Sequence, residues 1–190
     1  MNSIDLNAQV SDSETTLKEV KQVRVSDTIN LSADKLWEIV GPGFADAHVW
    51  SSALDHSEGR GAGQFEGAVC NERYCEVNTA GFSEINEKLT LYNQETRELA
   101  YNAYSGLPSF VKFAENHWEA LDLGNGKSQI RMSITMKMKP FMGWLMGGMF
   151  RRNLDKTIDS VIDDLKIYAE TGEISEAKKK RLAELAKKAA

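Results

Sequence analysis

The stretch from Phe141 to Tyr168 reads FMGWLMGGMFRRNLDKTIDSVIDDLKIY. Within it Leu145, Met149, Phe150, Leu154, Ile158, Val161, Ile162, Leu165 and Tyr168 recur at three- and four-residue spacing. That is the apolar face of one long amphipathic helix. A run of strand-like segments precedes it, so the helix can bury its stripe only by lying across a sheet. A curved sheet around one helix leaves a cavity between the two, and function is to be sought there.

Working back from the helix, Ser128 to Lys139 alternates most cleanly. Ile130, Met132, Ile134, Met136 and Met138 take one face, and Gln129, Arg131, Ser133, Thr135 and Lys137 the other. One buried and one wet face follow. Ser83 to Asn93 places Ile85, Glu87, Leu89 and Leu91 together; Glu98 to Ser105 places Leu99, Tyr101 and Ala103 together; Gln64 to Asn71 does so with Phe65, Gly67 and Val69. Phe110 to Leu121 is apolar on both faces and its inner side stays open. Ser52 to Glu58 is a weaker edge candidate. Turns are expected at Gly59-Arg60-Gly61-Ala62-Gly63, Gln94-Glu95-Thr96, Gly106-Leu107-Pro108 and Gly124-Asn125-Gly126.

Upstream, Val20 to Leu31 reads as a strand. Ser32 caps a helix over Ala33 to Val40, which Gly41-Pro42-Gly43 stops, and Phe44 to Trp50 forms a second short helix. The reading is α+β: a curved antiparallel sheet of about seven strands around a long C-terminal helix, with two short helices after the first strand. Residues 1–18 are expected to be a flexible tail. Residues 19–172 are expected to form the domain that holds the cavity. Residues 173–190 form a charged helical tail, with six basic residues (Lys178, Lys179, Lys180, Arg181, Lys187, Lys188) against three acidic ones. That tail reads as solvated, with weak contact to an anionic membrane surface as the alternative.

Composition narrows the function. Apolar residues make up 42% and charged residues 27%, as in ordinary globular domains. The formal net charge of −5 argues against nucleic acid as a partner. No stretch is long and apolar enough for a transmembrane span, and Met1 to Thr16 does not read as a secretory signal. Cys70 and Cys75 form neither a disulfide framework nor a Cys-x-x-Cys motif, so reduced thiols and a cytoplasmic location are expected. No metal-spaced cluster or phosphate-cradling loop occurs, and no cofactor is expected. A monomer and a homodimer are both compatible with the sequence.

Several residues carry the resemblance of the whole: Trp37 in the first helix, Gly67 after the glycine-rich turn, Glu87-Lys88-Leu89, Tyr101, Leu107-Pro108, and the final Leu-rich helix. Over about residues 20 to 172 the chain resembles the helix-grip fold. It is similar to the polyketide cyclase/dehydrase and lipid-transport family of the START-like (SRPBCC) superfamily. The resemblance implies an apolar cavity that holds a lipid, a polyketide or another small hydrophobic molecule. Ser105-Gly106-Leu107-Pro108 looks like the gate loop of plant hormone receptors of that superfamily. It falls two loops too late, since the gate position is expected at Asn71 to Gly81, and hormone binding is not inferred.

Two functions follow. In the first, the domain binds a small hydrophobic ligand; in the second, it is a cyclase or dehydrase using the same cavity. Expected cavity residues are Trp50, Glu87, Leu89, Tyr101, His117, Met132, Ile134, Met136, Met149 and Leu154. Glu87 is inward by alternation. It is either a functional carboxylate or the partner of an arginine such as Arg73 or Arg131. Tyr101 can donate to a ligand oxygen or merely pack. The methionines suit an adaptable pocket or a soft core. Met142 to Phe150, with three glycines, is expected to be the most mobile part of the wall. It could serve as a lid, a membrane rim or a dimer contact.

Overall fold

A computed structural model describes the backbone of residues 17–79, 82–140 and 147–189, with side chains for all of these except 79, 82, 147–151 and 189. Strand β1 (Lys18–Val25) leads to helix α1 (Ala33–Val40) and a 3-10 helix (Pro42–Val49). Six strands follow: β2 (Leu54–Ala62), β3 (Cys70–Thr79), β4 (Phe82–Asn93), β5 (Glu98–Ser105), β6 (Val111–Gly124) and β7 (Lys127–Met138). Helices α2 (Gly147–Thr171) and α3 (Glu176–Ala189) end the chain. All pairings are antiparallel, in the order β1-β7-β6-β5-β4-β3-β2. This is the helix-grip arrangement expected from the sequence.

Local chemistry explains most boundaries. Ser32 Oγ accepts from Lys35 N at 3.4 Å and caps α1. At Gly41 a Cβ would stand 2.5 Å from the Trp37 indole, so only glycine lets the chain turn there. In β7 the expected alternation holds: Ile130, Met132, Ile134, Met136 and Met138 are all buried. They meet Ile158, Val161, Ile162 and Leu165 of α2 in one core.

Several expectations change. The strand read over Val20 to Leu31 ends at Val25, and an isolated bridge of Ile29 with Ser128 follows it. Gln64 to Asn71 is not one strand: residues 64–69 are irregular and only Cys70 and Asn71 are extended. Its chain turns at Gly67 (φ +80°) and through an Ala68 N to Phe65 O bond of 3.1 Å, and the next strand starts at Cys70. The glycines at 59 and 61 lie inside β2, where Gly59 pairs with Arg73. A Cβ on Gly59 would press on Cys70 Sγ and Ala45 at 3.0 and 3.1 Å, so this glycine serves close packing, not a turn. In β4 a bulge between Leu89 and Leu91 shifts the alternation, and Tyr92 rather than Leu91 is buried. The loop expected at Asn71 to Gly81 is instead strand β3 as far as Thr79, but the place of Ser105-Gly106-Leu107-Pro108 in the strand order survives. The latter joins β5 to β6, two loops after the β3–β4 connection.

The C-terminal segment is docked, contrary to the solvated tail read from its charge. Lys178 is 2% exposed and its Nζ donates to Leu54 O at 2.8 Å. Arg181 grips the Asp55 carboxylate through Nε and Nη2 at 2.7 and 2.5 Å. Buried Asp164 of α2 accepts from Ser52 N at 2.7 Å and from the Ser175 hydroxyl at the entry to α3. The apolar stem of Lys178 can lie along the body while its ammonium finds a carbonyl, which net charge does not reveal. No helix among the described residues is long and apolar enough to cross a membrane.

Candidate functional site

The antiparallel register sets Arg73 of β3 directly opposite Glu87 of β4 on the inner face. Leu89 faces Tyr101 across β4 and β5, and Leu99 faces Trp118 across β5 and β6. The sheet therefore presents Arg73, Glu87, Tyr101 and Trp118 side by side, with Met132 next on β7. Val40 of α1, Phe44 and Ala47 of the 3-10 helix, Trp50, Leu54 and Val161 of α2 close the other side. Between them lies a mainly apolar cavity of about 130 Å³.

Its polar end is an ion pair out of water. Arg73 and Glu87 side chains are 6% and 8% exposed. Arg73 Nε and Nη2 donate to Glu87 Oε2 at 2.8 and 2.5 Å, and Nη1 donates to Phe44 O at 2.6 Å. The guanidinium lies over the rings of Phe44 and Tyr101, 4.1 and 5.0 Å from their centroids. Burial opposes its charge, but the Glu87 carboxylate outweighs this and holds the arginine above its ordinary pKa. Cys75 Sγ donates to the same Oε2 at 3.5 Å. Burial pushes that thiol up to about 12, so it stays protonated and is no nucleophile. The Tyr101 hydroxyl is also shifted up, by burial and then by Glu87, and remains a neutral donor. Its oxygen accepts from Trp118 Nε1 at 3.3 Å. Trp50 Nε1 is buried without a hydrogen-bond partner among the described residues.

Of the residues expected from the sequence, Trp50, Glu87, Tyr101 and Met132 line this cavity. Leu89, Ile134 and Met136 are buried on the inner face but belong to the surrounding core. Leu154 is half-buried against that core. His117 does not line it. Trp118 faces inward, so the neighbouring His117 turns to the outer face, 3.8 Å from both Glu98 and Glu119. The side chain of Met149 lies outside what the structure describes, and of the wall segment Met142 to Phe150 only the backbone from Gly147, the start of α2, is described. Arg131 pairs with Glu119 on the outer face at 2.5 Å, which leaves Arg73 as the partner of Glu87. Trp118 and Phe44 were missed. Phe110 to Leu121 had no assignable inner face, and Phe44 enters through its backbone and ring rather than through a helical stripe. No group of three or more His, Cys, Asp or Glu could hold a metal among the described residues.

His48 lies on the 3-10 helix, next in sequence to the cavity residue Ala47. Ser57 Oγ gives its one proton to Ala45 O (2.6 Å) and accepts from His48 N (3.2 Å), so His48 Nδ1, 2.9 Å away, must carry the proton it donates to Ser57. Burial lowers the His48 pKa from 6.5, with His56 and Lys178 adding to the shift and Asp46 opposing it. The unfolded chain then binds a proton that the folded chain resists, so stability rises with pH through this window. The melting temperature is expected to fall as pH drops below 6.5. The slope should be shallower in His48→Gln, and equal slopes in the two proteins would remove His48 as the cause.

The model of one protein family, described as polyketide cyclase / dehydrase and lipid transport, matches residues 21–170. No curated protein sequence matches the chain. Among solved structures, truncated norcoclaurine synthase from Thalictrum flavum superposes with a TM-score of 0.65 at 18% identity, over 82% of this chain and 96% of that one. The Zhui aromatase/cyclase from Streptomyces sp. R1128 gives 0.56 at 15% identity, over 84% and 99%. Ara h 8.0201 gives 0.58 at 13%, over 80% and 98%. These likenesses are of fold. With the family match extending from β1 to the end of α2, the chain belongs to the polyketide cyclase/dehydrase and lipid transport family.

Proposed function

We propose that the protein binds a small hydrophobic molecule in the cavity between sheet and helices. One observation carries this reading: a mainly apolar cavity holds a few convergent polar groups, Arg73, Glu87, Tyr101 and Trp50, which is the composition of a ligand site. Similar folds include a synthase and an aromatase/cyclase, and norcoclaurine synthase also has a structure in complex with dopamine and hydroxybenzaldehyde. A cyclase or dehydrase activity is therefore the second reading. It needs an acid or base beside Glu87 to move protons. His117 and Arg131 lie on the outer face, and the nearby Tyr101 has its pKa raised. Those placements favour binding over proton transfer. Cys70 and Cys75 are buried and free, which fits a reducing, cytoplasmic location.

The test is calorimetric titration of the native protein with hydrophobic probes, ranging from toluene to a fatty acid. At least one should bind with one-to-one stoichiometry. Met132→Trp, which fills the cavity from β7, should weaken that binding by about tenfold or more while the cooperative melt is retained. If no probe binds the folded protein, or if Met132→Trp binds as well as the parent, the cavity is not a ligand site.

A further inference from the structure

We propose that the cavity selects an uncharged, single-ring molecule bearing a hydroxyl or carbonyl oxygen, over carboxylates and long acyl chains. This rests on the binding reading above and narrows its ligand. Three features of the wall carry it: size, charge and unspent donors.

A volume of about 130 Å³ is close to that of an apolar cavity known to hold benzene, roughly 150 Å³. Sites for larger organic ligands run from about 300 Å³ upward. The space bounded by the described residues suits one ring with a small substituent.

The charge of the wall is already balanced. Arg73 spends Nε and Nη2 on Glu87 and a third donor on Phe44 O. Both rings against it, Phe44 and Tyr101, lie within 5.0 Å. A ligand carboxylate would place a second anion beside Glu87, facing a cation that is already paired. Burying such an uncompensated charge is strongly unfavourable. A neutral ligand avoids that burden.

Two donors remain. Trp50 Nε1 has no partner among the described residues although it is buried. Tyr101 accepts the Trp118 N–H, and its own proton has no described acceptor. An unmet buried donor is costly, so a ligand oxygen that meets the Tyr101 hydroxyl, or the Trp50 N–H once that ring shifts to open it to the space, gains a hydrogen bond that the wall alone does not supply. On the acceptor side, every described bond to Glu87 ends on Oε2, which leaves Oε1 for a ligand hydroxyl.

The experiment is calorimetric titration at pH 7 with benzyl alcohol, toluene, benzoate and laurate. Benzyl alcohol should bind one-to-one, about three- to tenfold tighter than toluene, the gain of one hydrogen bond. Benzoate should bind at least tenfold more weakly than benzyl alcohol, and laurate more weakly still. Trp50→Phe and Tyr101→Phe are made separately, each checked by its melt. At least one should erase the advantage of benzyl alcohol over toluene, read as the ratio of the two affinities within the same variant. Benzoate or laurate binding as tightly as benzyl alcohol would overturn the selection and leave hydrophobic binding intact. An advantage undiminished in both variants would also overturn it. If none of the four binds, the broader reading of the cavity fails with it.

Discussion

Arg73→Met should destabilise the protein by about 3–5 kcal/mol, because it leaves the Glu87 carboxylate buried with its cation removed. Glu87 is 6% exposed, and the partner that remains, the Cys75 thiol at 3.5 Å, is a weak donor. Phe44 O also loses the Arg73 Nη1 bond of 2.6 Å, which ties the 3-10 helix to the sheet. Denaturant titration should show a lower midpoint with little change in slope. For a chain of this size each kcal/mol moves the melt by about 2–4 °C. The double variant Arg73→Met with Glu87→Leu should recover most of the loss, since replacing both partners by apolar groups removes the orphaned charge. A single-variant loss below about 1 kcal/mol would mean that the pair is hydrated and that the cavity end is wetter than described.

The same pair decides what Glu87 is for. Its inward direction could be read from Ile85, Glu87 and Leu89 alone, but whether it stood free or paired could not. The partner sits on β3, and β3 was invisible to hydrophobic alternation. Its inner face is Asn71, Arg73 and Cys75, so the periodic signal that marks β7 never appears there. Glu87→Gln therefore tests two roles together: loss mainly of stability indicates the structural partner of Arg73, and loss mainly of binding indicates a ligand contact.

The most legible parts were those that the hydrophobic effect writes with a strict period. The alternating inner residues of β7 and, within the stripe of α2, Ile158, Val161, Ile162 and Leu165 are buried as expected. Ser32 and Gly41 bracket α1 because capping needs only local chemistry. Where close packing replaced periodicity, reading failed. Gly59 looked like turn punctuation but makes room for Cys70 and Ala45. Tyr92 enters the core because a bulge after Leu89 shifts the face of β4, and nothing in the sequence announces that extra residue. Of the cavity, the side chains that project from regular alternation were found, as with Tyr101 and Met132. Phe44 and Trp118 came from segments without a clean period.

The docking of α3 was equally hidden, and its removal should be felt at the cavity. Asp164 is 1% exposed and holds Ser52 N at 2.7 Å on one oxygen and the Ser175 hydroxyl on the other. Asp164→Ala leaves both donors without their acceptor, at about 1–3 kcal/mol for each group stranded in the interior. Ser51, Ala53 and Leu54 border the cavity, and Ser52, Leu54 and Asp55 are the points where Asp164, Lys178 and Arg181 take hold. Loosening this clamp should therefore act twice. Amide exchange in α3 should accelerate while that of Ile158 to Leu165 changes less. Affinity for any cavity ligand should fall, because one wall is no longer held in place. Lys178→Met separates the effects: its apolar stem still fills the site, but Leu54 O loses the 2.8 Å bond from the ammonium. If α3 exchanges at the parent rate in Asp164→Ala and ligand affinity is untouched, the helix is held by other contacts and the wall does not depend on it. Faster α3 exchange with unchanged affinity would separate the clamp from the site. Faster exchange together with weaker binding would make the C-terminal helix part of the cavity's architecture, although none of its described residues lines the cavity.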